Sequence, residues 1–181
     1  MEIISIILNG ALEHQDSMGN SGVIHAGEVQ RMSAGTGVTH SEFNHSKEEA
    51  MHFLQIWIYP NEMGIKPEYE QRAFSSEQKA NKFLHIVSGF NEPGSINIHQ
   101  EARLSIAQID DEQTITYSKF QPLNFLYVFM MSGRAKIEGY ELSKGDALAI
   151  TGGENLEVSS LENSDILVIE VPGKDGISMG S

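Results

Sequence analysis

The sequence predicts an all-β fold of the sandwich or barrel kind, and three observations support this. Short apolar or alternating segments recur along the whole chain, from Ile3–Leu8 near the start to Ile166–Val171 near the end. Gly, Asp, Asn and Pro separate these segments, as they do in β-turns. Helical periodicity is almost absent. Many short strands joined by turns are typical of sandwiches and barrels.

The composition narrows the class of protein further. The chain has 181 residues, with 12 Lys and Arg against 25 Asp and Glu, for a net charge of −13. Such an acidic chain is a poor binder of nucleic acid or of anionic membranes, because phosphate groups repel it. The absence of cysteine excludes disulfides, thiolate nucleophiles and Cys-ligated zinc, and it fits a reducing cytoplasm. The first residues indicate neither a signal peptide nor a membrane span.

The first half is predicted to open with a β-hairpin. The run Ile3–Leu8 is apolar on both faces, which is typical of a central strand, and Asn9-Gly10 is a strong turn signal. The segment Met51–Tyr59 also carries bulky side chains on both faces, so it too is predicted to be an interior strand. Further strands are predicted at Ala11–Asp16, Val23–His25 and Val29–Met32.

A polar, weakly patterned stretch from Pro60 to about Lys82 is predicted to link two halves, with a helical turn within Ser75–Asn81. The predicted domains are therefore residues 1–60 and 83–181, with a linker at 61–82. Strands of the second half are predicted at Phe83–Ser88, Ile96–Ile98, Ala102–Ile109, Thr114–Tyr117, Phe125–Ser132, Ala135–Ile137, Ala147–Thr151, Leu156–Ser160 and Ile166–Val171.

The segment Gly27–Asn44 carries the main candidate site. His40 and Glu42 lie two residues apart, so in a strand both side chains point to the same face. A nitrogen and an oxygen donor together suit a divalent metal such as Fe, Mn, Zn, Ni or Cu. His-x-Glu is common, however, and a hydrogen-bonded, metal-free polar pair at a barrel mouth is the alternative interpretation.

Other polar and aromatic residues near this segment are weaker candidates. His14 is expected to approach the cavity, whereas His52 is interpreted as a core histidine because it shares a strand face with Leu54 and Ile56. His45 is expected to be exposed. A set of apolar side chains could line an aromatic-binding pocket, with ordinary core packing as the alternative: Met18, Met32, Phe53 and Trp57.

The sequence from Ala11 to Asn44, ALEHQDSMGNSGVIHAGEVQRMSAGTGVTHSEFN, resembles the pirin family of bicupin proteins. The loop DSMGNSG, the segment QRMSAGTGVTHSE and the following strand HFLQIWIYP carry the resemblance. Gly35–Asn44 is also similar to the second conserved motif of cupins. The resemblance covers nearly the whole chain and is strongest over residues 1–60.

This resemblance implies two β-barrel, or jelly-roll, cupin domains. In the family the N-terminal domain holds a metal, usually iron, through three His and one Glu, and His40 and Glu42 match two of these ligands. The other two belong to an HxH motif expected just upstream of Met1. We therefore expect an N-terminally truncated first barrel whose divalent metal (Fe first, then Ni, Cu, Mn or Zn) is weakly bound or absent.

The resemblance also implies a function, oxygen-dependent cleavage of flavonols such as quercetin, with Glu42 acting both as ligand and as base toward the substrate hydroxyl. The alternative is a non-catalytic regulatory or protein-interaction module with a degenerate metal site. Truncation is further expected to expose an edge at Ile3–Leu8, and a homo-oligomer is expected to cover it.

Overall fold

The computed structural model describes residues 1–153 and 155–173, and within these ranges the protein is built from strands with one short helix. The all-β prediction is confirmed. The chain divides into two compact units. Unit 1 comprises Met1–Ser75 with Ile96–Gln100, and unit 2 comprises Ser76–Ser95 with Glu101–Ser181. No helix among the described residues has the length and hydrophobicity that a membrane crossing needs.

Unit 1 contains two antiparallel sheets that pack on each other. The four-stranded sheet has the order β6-β1-β4-β7, and the three-stranded sheet has the order β3-β2-β5. Ile7 from the four-stranded sheet and Leu12 and Ile24 from the three-stranded sheet form an apolar cluster between the sheets. Phe53 packs against this cluster. The strands are β1 Glu2–Asn9, β2 Ala11–Asp16, β3 Ser21–His25, β4 Glu28–Ser33, β5 His40–Asn44, β6 His52–Ile58 and β7 Glu68–Ala73.

Strand β1 is buried and central, as predicted. Both of its edges are paired, contrary to the exposed edge that was also predicted. It pairs with β4 on one side and with β6 on the other. The expected exposed edge at Ile3–Leu8 is therefore wrong, because strands from later in the chain supply both neighbours. The edges of this sheet are β6 and β7. Strand β6 was predicted to be interior, and its Trp57 is 60% exposed. Bulky side chains on both faces of a strand therefore show neither that its faces are buried nor that its edges are paired.

Part of the predicted linker is a strand. Residues 61–82 contain β7, which pairs with β4 and sets Arg31 opposite Glu70. The Arg31 guanidinium contacts the carboxylates of Glu68 and Glu70 at 3.1 and 3.4 Å. The strand escaped prediction because its charged side chains give no apolar alternation. The predicted helical turn is confirmed as α1, Ser76–Lys79.

Unit 2 also packs two antiparallel sheets on each other. Five of its strands have the order β15-β12-β17-β10-β8, and four have the order β11-β16-β13-β14. Buried apolar side chains from both sheets, among them Val128, Leu156 and Val168, form one core. The strands from here on are β8 Leu84–Ser88, β9 Ile96–Asn97 (in unit 1), β10 Arg103–Ile109, β11 Thr114–Ser118, β12 Phe125–Ser132, β13 Arg134–Ile137, β14 Tyr140–Ser143, β15 Ala147–Ile150, β16 Asn155–Ser160 and β17 Ser164–Val171.

Candidate metal centre in unit 1

His40 and Glu42 lie on β5, which pairs with β2 in the register His40 opposite Asp16 and Glu42 opposite His14. Both side chains are half-buried, whereas the intervening Ser41 is exposed. The alternation of the strand thus turns both donors toward the space between the two sheets. The surface residue beyond them, Phe43, is 62% exposed.

A row of polar side chains on the four-stranded sheet faces this pair. Ser5 on β1 is in register with Gln30 on β4 and with Gln55 on β6. Gln55 Nε2 donates to Glu42 Oε2 at 2.8 Å and to Ser5 Oγ at 3.3 Å. Gln30 Nε2 lies 3.5 Å from Glu42 Oε1. Two amides from the facing sheet therefore hold the carboxylate in place.

Trp57 fixes the orientation of the Gln55 amide. The indole Nε1–H donates to Gln55 Oε1 at 3.0 Å. Because the indole nitrogen is a donor only, it selects the amide oxygen and turns Nε2 toward Glu42. Trp57, Gln55 and Glu42 thus form a hydrogen-bonded chain from the surface to the candidate ligand.

His14 lies beside the pair but has both ring nitrogens engaged. Its side chain is buried, with Nε2 3.3 Å from Asp16 Oδ2 and Nδ1 3.4 Å from Gln30 Nε2. Its ring stacks with those of His40 and Tyr69 at centroid distances of 5.9 and 5.0 Å. His14 approaches the cavity, as expected, and it supports the surrounding residues without offering an open lone pair.

Two ionisable groups around His14 have shifted pKa values. Burial raises the pKa of Asp16, but hydrogen bonds from Asn20, His14 and the Met18 amide outweigh it, so the net pKa lies below the usual 3.8. Burial, together with the charges of Asp16, Glu28 and Glu42, raises the pKa of Tyr69 to about 12. Asp16 is therefore a carboxylate and Tyr69 a neutral phenol at neutral pH.

The donor types at this site fit a borderline divalent metal, and their number fits a weak site. Within the described ranges, no group of three or more His, Cys, Asp or Glu is arranged to hold a metal ion. A metal at His40 and Glu42 would take its other ligands from solvent or substrate. A cavity of about 280 Å³ is lined by Asp16, Thr39 and His40.

Of the other residues that the sequence singled out as site candidates, some lie in the core and others at the surface. His52 is exposed, so its interpretation as a core histidine is wrong: it lies at the start of the edge strand β6. His45 is exposed, as predicted, and its ring contacts Glu13 at 3.1 Å. Among the four pocket candidates, Met32 and Phe53 belong to the interior and Trp57 is 60% exposed, whereas Met18 lines a cavity of about 640 Å³.

Sequence reasoning missed Gln30 and Gln55, which contact Glu42 directly. A signal was present, because Ser5 and Gln55 interrupt otherwise apolar stretches of their strands. Polar residues in such strands indicate an interior polar partner. Which partner they meet depends on strand pairing, and that information is not local.

Comparison with known proteins identifies the family. The Pirin family profile matches residues 1–58, and the profile of the quercetinase C-terminal cupin domain matches residues 85–171. The quercetin 2,3-dioxygenase of Escherichia coli K12 is 39% identical over 173 residues, which span 95% of this chain and 73% of that protein.

Solved structures agree with this assignment. The bacterial pirin YhhW from Escherichia coli, crystallised in complex with nickel(II), superposes with a TM-score of 0.88 at 35% identity, over 96% of this chain and 73% of YhhW. Escherichia coli YhaK superposes with a TM-score of 0.81 at 25% identity, over 94% of this chain and 75% of YhaK. The chain belongs to the pirin family and has the bicupin fold.

Proposed function

We propose that this bicupin binds a divalent metal in unit 1 through His40 and Glu42 and cleaves quercetin-like flavonols with dioxygen. One observation carries the proposal: the two donors face the interior side by side, with the Glu42 carboxylate held by Gln55 at 2.8 Å. The names of the relatives support the substrate class. Iron is the first choice of metal, and nickel, copper, manganese and zinc suit the same donors.

When bound, the metal supplies Lewis-acid activation of the flavonol oxygens. The protein's own residues do the rest. Glu42 accepts the proton of the substrate hydroxyl at Oε1, which Gln30 contacts only at 3.5 Å, while Oε2 accepts the hydrogen bond of Gln55. Gln55 and Trp57 keep the carboxylate oriented, and His14, paired with Asp16, stacks with the ring of His40.

The proposal is tested by quercetin turnover in air, followed by the loss of flavonol absorbance after loading the protein with iron, nickel or copper. We expect metal-dependent turnover that His40→Ala and Glu42→Gln both abolish. His52→Ala, which changes an exposed histidine on β6, serves as the matched control and leaves turnover unchanged. Absence of turnover, together with no metal by elemental analysis, would overturn the proposal.

A non-catalytic interaction module is the second candidate. It is favoured by the two-donor site, since no third ligand is in place among the described residues, and by the exposed aromatic side chains Phe43, Trp57 and Tyr59. Such a module would bind a protein partner whether or not metal is present. Partner binding that survives both His40→Ala and metal removal would favour this candidate over the enzyme.

We also propose that two copies associate through β6 rather than through Ile3–Leu8. This edge strand carries no charged side chain in an acidic protein, and it exposes Trp57. Light scattering should show a dimer that Trp57→Lys converts to a monomer. A monodisperse monomer for the parent protein would contradict this. The cytoplasm is the proposed compartment, which the absence of cysteine supports.

A further inference from the structure

Unit 2 contains a cavity that the metal centre does not use. Its volume is about 430 Å³, within the range of small-molecule sites. It lies between the segment Asn81–His85 and strand β11, and its lining includes Lys82, Phe83, His85 and Tyr117. All of its lining residues belong to unit 2.

One wall of the cavity is aromatic and apolar. The rings of Phe83 and Tyr117 meet edge to face, with centroids 5.1 Å apart. The Tyr117 hydroxyl donates to Glu170 Oε2 at 2.8 Å, so it offers no hydrogen bond to the cavity. Burial, reinforced by Glu170, raises the pKa of Tyr117, which therefore stays neutral. Tyr117 and Ile115 are buried, at 1% and 8% exposed, and they back the half-buried Phe83 ring, which is the aromatic surface left to the cavity.

His85 places one hydrogen-bonding atom next to this wall. Its Nδ1 lies 2.8 Å from Ser105 Oγ, which fixes the ring. Burial, together with the nearby Arg103, lowers the pKa of His85, so the imidazole is neutral at neutral pH. Among the described residues Nε2 has no hydrogen-bond partner, and it is left to donate or accept one hydrogen bond.

Lys82 adds a positive charge. Its side chain is exposed and makes no ion pair within the described part of the chain. Its neighbour Asn81 holds the Asp110 carboxylate at 2.7 Å. The net charge of −13 repels anions in general, so the unpaired ammonium of Lys82 is the local feature that favours an anionic group at this cavity.

We propose that this cavity binds a small aromatic acid. The ring lies against Phe83, the acidic group pairs with Lys82, and a hydroxyl or carbonyl of the ligand bonds to His85 Nε2. Apolar contact, one directional hydrogen bond and one charge together define this ligand class. The site does not depend on metal in unit 1.

The probe is 4-hydroxybenzoate, and binding is followed by protein-observed NMR titration. We expect saturable shifts at residues 81–85 and 114–118. Lys82→Ala should weaken binding about tenfold through loss of the charge-assisted contact, and His85→Gln should weaken it severalfold. Lys144→Ala removes an exposed lysine elsewhere in unit 2 and is the matched control, with unchanged affinity. The neutral 4-hydroxybenzamide should bind more weakly than the acid.

Equal affinity of the parent and Lys82→Ala would overturn the proposal, as would shifts confined to other parts of the protein or no binding at all. Lys82 is exposed, so its removal leaves the core untouched. This variant therefore decides the question even if His85→Gln impairs folding. His40→Ala should bind the probe as the parent does, which separates this site from the metal centre.

Discussion

Units 1 and 2 are both two-sheet sandwiches, yet they fill the space between their sheets differently. In unit 2 that space holds buried apolar side chains from both sheets, such as Val128 and Val168. In unit 1 a polar group that includes His14, Gln30 and Glu42 occupies part of it. Buried polar groups contribute less to stability than apolar ones and are retained where a site needs them. Unit 1 therefore gathers polar side chains around its candidate metal ligands, whereas unit 2 has an apolar core with a buried Arg103–Glu170 ion pair beside it.

The largest expected effect tests the packing of unit 2. Leu156 is 1% exposed and lies in its core. Leu156→Ala should lower the free energy of unfolding by about 2–5 kcal/mol, because it removes buried methyl groups and leaves a cavity. Urea unfolding followed by circular dichroism measures the change. A loss well below this range would mean that unit 2 is loosely packed, and the contrast between the units would fail.

The next effect tests the support of Glu42. Gln55→Leu removes the 2.8 Å hydrogen bond to the carboxylate while keeping the volume of the side chain. We expect metal affinity to fall about 10- to 100-fold, as it does when residues that orient ligands are changed. Gln15→Leu on the exposed face of β2 is the control. Unchanged affinity in Gln55→Leu would show that Gln55 does not position the ligand.

Asp16 should give the structure of unit 1 a pH dependence. Its carboxylate accepts bonds from the Met18 and Asn20 amides at 2.9 Å, and its pKa is lowered. A lowered carboxyl pKa stabilises the folded state above the usual pKa, and this contribution is lost as the pH falls through the folded pKa. Asp16→Asn should therefore lower the free energy of unfolding by about 1 kcal/mol at neutral pH and by much less in strong acid.

Urea unfolding across the acid range measures this difference, with Asp111→Asn as an exposed control. A cost for Asp16→Asn that is the same in acid as at neutral pH would show that the charge of Asp16 is not what stabilises the loop.

The smallest expected effect concerns Gln30. Its two hydrogen bonds are long, at 3.4 and 3.5 Å, and its buried Oε1 has no partner. Gln30→Met should change the free energy of unfolding by less than about 1 kcal/mol, because little hydrogen bonding is lost and apolar surface is gained. Urea unfolding of the two single variants, Gln30→Met and Leu156→Ala, compares how much each interior contributes to the free energy of unfolding. If Gln30→Met lowered the free energy of unfolding as much as Leu156→Ala does, the distinction between the interiors of units 1 and 2 would be wrong.

The sequence allowed the local features to be predicted and not the long-range ones. His40 and Glu42 share a face because strand alternation is a property of neighbouring residues. The positions of β1 at the centre and β6 at the edge depend on which distant segments pair, and apolar patterning does not report that. Gln55 became a site residue only once the facing sheet brought Glu42 to it.

Nickel(II) titration of the metal-free protein tests the central claim most directly. Trp57 is the single tryptophan of the chain and connects to Glu42 through Gln55, so its fluorescence reports occupancy of the site. We predict saturable binding of one ion per chain that His40→Ala and Glu42→Gln abolish and His52→Ala preserves. No uptake by the parent, or equal uptake by His40→Ala and the parent, would contradict the assignment of His40 and Glu42 as metal ligands.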